Sequence, residues 1–210
     1  MHTPAFLFDG PESAAATVAL AHGAGAPMDS PFMDFIATGL AHRGYRVARF
    51  EFPYMAARRQ GSARRPPDRL NVLLDCWQTV IDRLGPERLA IGGKSLGGRM
   101  ASMVADRMGV RALLCLGYPF HPPGRPETLR IDHLCRLQTP ALILQGTRDP
   151  FGDRADVAGY PLSSAIRLHW LEDGDHGFAP RVASGRTEEQ NWREALDAAG
   201  TFLAETLPGG

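Results

Sequence analysis

Gly93-Lys94-Ser95-Leu96-Gly97 sets a serine between two glycines, directly after the apolar run Leu89-Ala90-Ile91 and just before Arg99 to Ala105, which reads as helix. A serine hydroxyl is a weak nucleophile. Acyl transfer needs an imidazole to take its proton, a carboxylate to orient that imidazole, and N–H donors for an oxyanion. A tight strand-to-helix turn with small flanking residues lifts the hydroxyl above a sheet and places it at a helix N-terminus, where free N–H groups and a positive dipole end suit an oxyanion. Ser95 is therefore the candidate nucleophile. The same letters contain Gly-Lys-Ser, but a phosphate-binding loop needs glycine where this chain has Arg88, and loop where Leu89 to Ile91 read as strand.

In an elbow of this kind the acid and the base follow the serine in the order Asp, His. Gln145-Gly146-Thr147-Arg148-Asp149-Pro150-Phe151-Gly152 comes straight after an apolar run, which makes Asp149 the candidate acid and Asp153 the fallback. Asp149 before Pro150 would also suit an Asx-turn, but its place after a strand and between Ser95 and a later histidine favours the acid. Glu172-Asp173-Gly174-Asp175-His176-Gly177-Phe178 follows the last apolar run, so His176 is the candidate base, against the plainer reading of a surface histidine in a Gly/Asp turn. His42, His133 and His169 fall within helix-like or strand-like stretches, where packing roles are commoner. Ala21-His22-Gly23-Ala24-Gly25-Ala26 ends the first strong apolar run in a loop suited to an oxyanion donor. The N–H of Leu96 is expected to be one donor and that of Ala24 the other, with Gly25 as the alternative.

The elements that must position these residues alternate as in a mostly parallel sheet covered by helices on both faces. Strands are expected over Thr17–Ala21, Tyr45–Phe52, Leu89–Gly92, Ala112–Gly117, Ala141–Gln145 and Ile166–Leu171; several are continuously apolar, as strands buried on both faces are. Asp68–Leu84 sets Leu70, Leu73, Leu74, Trp77, Ile81 and Leu84 on one helical face, with Asp68 as N-cap and Gly85 past the end. Ser30-Pro31 opens a helix running to about His42, and Thr187 to Gln190 matches a capping box. Two segments break the alternation: the basic stretch Arg58 to Pro67, and Tyr118-Pro119-Phe120-His121-Pro122-Pro123-Gly124-Arg125-Pro126. Both follow strands and so belong at the C-terminal edge of the sheet, where open α/β sheets bind ligands.

Length and composition set the bounds. A chain of 210 residues, 44% hydrophobic and 22% charged, fits one globular domain over 1–210. Lys plus Arg equals Asp plus Glu at 23 each, which leaves no basic excess for nucleic acid or an anionic membrane surface. Cys76, Cys115 and Cys135 are odd in number and lie in apolar or helical stretches without metal-ligand spacing, so free thiols in a reducing compartment are expected. With no signal-peptide pattern near Met1 and no long apolar run, a cytoplasmic protein without metal or cofactor is the expectation.

The chain resembles the α/β-hydrolase superfamily. More narrowly, it is similar to a small bacterial group akin to dienelactone-hydrolase-like proteins and to animal testis-expressed and histone-acetyltransferase-complex subunit relatives. The resemblance rests on His22-Gly23-Ala24-Gly25, Phe52-Pro53-Tyr54-Met55, Arg65-Pro66-Pro67, Gly92 to Arg99, Gly117 to Gly124, Gln145 to Gly152 and Asp175-His176. It implies an α/β-hydrolase fold of about six to seven strands and a serine hydrolase acting on a small ester or thioester. The animal relatives imply the alternative of a non-catalytic interaction subunit. Dienelactone hydrolases use a cysteine where this chain has Ser95, so their substrate does not carry over. The stretch from Tyr118 to the next strand is too short for a helical cap, which predicts an open site shaped by the two irregular loops. Gly25, Tyr118, Phe120, Arg58 and Arg59 are then the candidate substrate contacts; the basic stretch itself reads first as a solvated face, with the alternative that one or two of its arginines face the cleft and bind an anionic group. Lys94 either adds to that positive field or is the exposed variable position of the elbow, and the second is expected.

Overall fold

Apolar runs bounded by glycine and proline form seven strands of one sheet in the computed structural model, which describes residues 3–207. Residues 1–2 and 208–210, the ends of the expected domain and the start of the segment read for targeting, lie outside the described residues. In chain order the elements are β1 (Phe6–Asp9), β2 (Thr17–Ala21), α1 (Pro31–Ala41), β3 (Arg46–Phe50), α2 (Pro53–Arg59), α3 (Leu70–Leu84), β4 (Leu89–Lys94), α4 (Leu96–Ser102), α5 (Ala105–Met108), β5 (Ala112–Leu116), β6 (Ala141–Gly146), α6 (Arg154–Val157), β7 (Ile166–Leu171) and α7 (Glu188–Thr206). The sheet order is β1-β3-β2-β4-β5-β6-β7, parallel throughout except where β1 pairs antiparallel with β3. No cap interrupts it: residues 117–140, between β5 and β6, contain only a short 3₁₀ turn at Leu134–Arg136.

Side chains alternate across a strand, so one sheet builds two cores. Val18, Leu20, Ala90, Leu114 and Leu142 face α1 and α7, whereas Ala19, Phe50, Ile91, Cys115 and Ile143 face α2, α3 and α4. Trp77 of α3 is fully buried, meets the Phe50 ring edge-on at 4.7 Å, and donates its indole N–H to Gly97 O at 3.3 Å. Truncating Trp77 to alanine is expected to cost about 3–5 kcal/mol.

Several boundaries differ from the sequence reading. The strand expected to reach Phe52 stops at Phe50, because Pro53 fits the first turn of a helix and starts α2. Arg58 and Arg59, expected in a loop, form the last turn of α2. Asp68 does not cap α3. Its carboxylate instead accepts the Tyr54 N–H at 2.8 Å, in the first turn of α2, while Arg69 takes the N-cap position of α3. The edge strand β1 was not expected. It is short, its Leu7 and Phe8 are partly exposed, and its pairing with β3 depends on contacts distant in sequence. The Thr187 capping box forms as expected, with the Thr187 hydroxyl accepting from Gln190 N.

Candidate active site

The elbow between β4 and α4 has a steric cause. Ser95 sits at φ 49 and ψ −111, a region that costs a non-glycine residue roughly 1–3 kcal/mol and persists only when its surroundings over-determine it. They do: Ser95 N–H bonds Leu116 O at 3.1 Å. A Cβ on Gly93 would lie 2.0 Å from Ala21 O, and one on Gly97 would lie 2.4 Å from the same atom. Both glycines are thus required for β2 to approach, and the turn they permit points Ser95 out of the sheet's C-terminal edge. Leu96 is the first residue of α4, so its N–H has no intrahelical acceptor.

Two other strand ends bring their side chains to Ser95. His176 Nε2 lies 2.8 Å from Ser95 Oγ, and His176 Nδ1 lies 2.7 Å from Asp149 Oδ2. A carboxylate accepts, so Nδ1 carries the proton and the Nε2 lone pair faces the serine. Asp149 is fully buried and its other partners fix it: Gln145 Nε2 donates to Oδ2 at 3.0 Å and Phe151 N–H donates to Oδ1 at 2.9 Å. The Asx-turn and the histidine contact therefore coexist, one on each oxygen. Phe151 lies against the imidazole with ring centroids 4.3 Å apart. Asp175 builds the histidine turn, its Oδ1 accepting from Gly177 N at 2.7 Å and Ala179 N at 3.0 Å. Burial pushes the His176 pKa below its ordinary value; the Asp149 hydrogen bond opposes this and the Lys94 charge adds to it.

The loop after β2 is tied down by residues that sequence reasoning did not single out for that task. His22 is buried, and its Nε2 accepts Phe52 N–H at 3.2 Å. Its Nδ1–H is then left for Gly23 O at 2.6 Å. Tyr54, from α2, donates its hydroxyl to Ala24 O at 3.1 Å. The loop thus runs along the mouth of a cleft of about 670 Å³, whose walls include Ala24, Gly25, Phe32, Ser95, Phe151, His176 and Trp192. Gln145 was also missed, although a glutamine ending an otherwise apolar buried strand is a signal that a polar group awaits it.

Other expected contacts lie elsewhere. Tyr118 and Phe120 do not face the cleft: both are fully buried, Tyr118 donating to Arg130 O at 3.1 Å and Phe120 packing against Tyr118 and Tyr160. The proline-rich loop folds back over the sheet, which removes their rings from any substrate. Arg58 and Arg59 border a separate hollow of about 230 Å³ with Pro27, Glu51 and Met55. Arg59 is already engaged, at 2.8 Å from Asp29 and 2.7 Å from Glu51. Asp153 caps α6 through Ala155 N and Asp156 N, so it does not serve His176. Lys94 is not the exposed position expected of it; its Nζ donates to His176 O.

A second serine–histidine contact, Ser102 Oγ to His133 Nε2 at 2.8 Å, lies on the far turns of α4. Among the described residues no set of three His, Cys, Asp or Glu side chains is arranged to hold a metal ion, and no helix is long and apolar enough to cross a membrane.

A family model described as Alpha/beta hydrolase domain matches residues 14–204. The chain belongs to this family. Among solved structures, this α/β-hydrolase is similar to the lidless a/b serine hydrolase XC6422 of Xanthomonas campestris, with 20% identity, TM-score 0.73, and 100% of this chain and 98% of that one covered. It is also similar to a dienelactone hydrolase of Anabaena variabilis, at 18% identity and TM-score 0.71 over 98% of this chain and 100% of the other. Est1E of Butyrivibrio proteoclasticus, with ferulic acid bound, matches at 15% identity and TM-score 0.70 over 97% and 95%. At these identities the likeness is one of fold.

Proposed function

We propose that this α/β-hydrolase is a serine hydrolase of small esters or thioesters, working through an acyl-enzyme on Ser95. The observation that carries the reading is the continuous hydrogen-bond chain Ser95–His176–Asp149, at 2.8 and 2.7 Å. His176 Nε2 accepts the serine proton as Oγ attacks the acyl carbon, and Asp149 stabilises the imidazolium that forms. The N–H groups of Leu96 and Ala24 receive the oxyanion of the tetrahedral intermediate. Collapse of that intermediate expels the alcohol or thiol, which takes the proton back from His176. Water, activated by the same imidazole, then releases the acid. Phe32, Met33, Phe151 and Trp192 in the cleft walls favour an apolar acyl group. The free thiols Cys76, Cys115 and Cys135 support a cytoplasmic location.

A fluorophosphonate probe and a series of p-nitrophenyl esters of rising acyl length, with thioester and lactone controls, test the reading. Covalent labelling that maps to Ser95, with turnover of at least one ester, is expected. No labelling and no turnover would leave a hydrolase-fold interaction protein in its place.

A further inference from the structure

Lys94 ends β4, and strand alternation directs its side chain to the face shared by Ala90, toward α1 and α7. There Nζ donates to the main-chain carbonyl of His176 and stands 5.5 Å from the Phe178 ring centroid and 5.9 Å from that of Phe32. Gly117, at φ 71, makes the room. A Cβ on it would lie 2.7 Å from Lys94 Nζ, 3.1 Å from His176 O and 3.4 Å from His176 Nδ1. The cation and the imidazole share one small space.

Four charged groups meet in this space or beside it. Asp149 enters from the loop after β6, Asp175 from the histidine's own turn, Lys94 from β4, and Glu188 stands at the cleft from α7. Among the described residues no carboxylate is ion-paired with Lys94, and its Nζ donates to His176 O. Burial lowers the Lys94 pKa to about 8 against the pull of Asp149 and Asp175, which leaves the side chain mainly cationic at neutral pH.

We propose that Lys94 is a positioning residue of this site: its ammonium anchors the His176 main chain and presents a positive charge to the imidazole from the wall of the cleft. The proposal rests on the serine-hydrolase reading above. A charge held there opposes the imidazolium, so His176 stays a free base to lower pH and returns its proton more readily to a leaving group.

The test is the pH profile of kcat/KM for wild type, Lys94→Met and Lys94→Gln, with one neutral p-nitrophenyl ester and one bearing a carboxylate on its acyl group. Methionine keeps an unbranched side chain of similar length beside Phe178 and Phe32 but removes charge and donor; glutamine removes the charge and keeps a donor. In both variants, and with both esters, the acid limb should move up by roughly 0.5 to 2 pH units, the range for a unit charge several ångströms away. Plateau kcat should fall further in Lys94→Met than in Lys94→Gln. An unmoved acid limb overturns the proposal, and a loss confined to the carboxylate-bearing ester overturns it in favour of substrate binding. Wild type is assayed first. If it neither turns over an ester nor takes a fluorophosphonate, the hydrolase reading fails, whereas an active wild type with an unmoved limb fails Lys94 alone. If neither variant folds, an NMR titration of His176 in the wild type decides. A second inflection of its ring carbons on the alkaline side of the imidazole's own, where Lys94 loses its proton, supports the proposal, and a single-step titration overturns it.

Discussion

Among the described residues two serine hydroxyls meet a histidine Nε2 at the same 2.8 Å, Ser95 with His176 and Ser102 with His133, yet only the first pair fits the acyl transfer proposed above. Ser102 is buried and donates its own proton to Arg99 O at 2.7 Å. Its oxygen must therefore accept from His133, whose Nε2 is the donor of that pair. Among the described residues no carboxylate is hydrogen-bonded to His133. At Ser95 the direction is reversed: Asp149 takes the Nδ1 proton, Nε2 is left as the acceptor, and the hydroxyl opens on the cleft. Distance alone does not make a nucleophile; the third partner and the route for substrate do.

The largest effect that tests this contrast is on turnover. Ser95→Ala should lower ester kcat/KM by at least ~10³-fold with little change in melting temperature, while Ser102→Ala stays within about twofold of wild type. A reversal of these two results would put the chemistry at the other serine. Asp149→Asn should lower kcat by about 10²–10⁴-fold, since an amide at that position no longer enforces the tautomer with a free Nε2; a full-activity variant would make Asp149 only the turn residue that its Oδ1 contact describes.

The pH dependence comes next. In the proposed mechanism His176 acts as the neutral base, and its pKa is held below the ordinary value of about 6.5 by burial, so kcat/KM should be flat at neutral pH and fall as pH drops through an apparent pKa under that value. A profile with no acid limb down to pH 4.5, within folded conditions, would remove the histidine from the mechanism. Ser102→Ala should show itself in stability instead, losing about 1–3 kcal/mol in urea unfolding as the Arg99 and His133 bonds go. The smallest effect is expected at Arg58 and Arg59. Replacing both by glutamine should change KM equally for a carboxylate-bearing ester and its neutral analogue, because they border a different hollow. A selective rise for the anionic ester at low salt would return them to the site.

Legibility followed the range of the interactions. The elbow could be read because its glycines, serine and flanking elements are contiguous, and the Thr187 capping box for the same reason. Positions after strand ends placed Asp149 and His176 at the correct edge, since every parallel strand delivers its following loop there. Burial was less legible. The proline-rich run announced a loop, but nothing local indicated that it turns inward and buries Tyr118 and Phe120. The arginines of residues 58–69 announced charge, but not that Asp29 and Glu51 engage Arg59.

By itself, then, the sequence determined the alternating parallel sheet, the serine turn and the order of candidate groups along the chain, because each follows from periodicity and steric demands within a few residues. Tertiary structure alone decided the contacts that hold those groups in place. It swung Asp68 across to α2, used His22 and Tyr54 to fasten the loop over Ser95, and drew Lys94 to the carbonyl of His176. These contacts join residues far apart in sequence, and their partners are chosen by packing and by the demand that buried polar groups be satisfied, which no local pattern records.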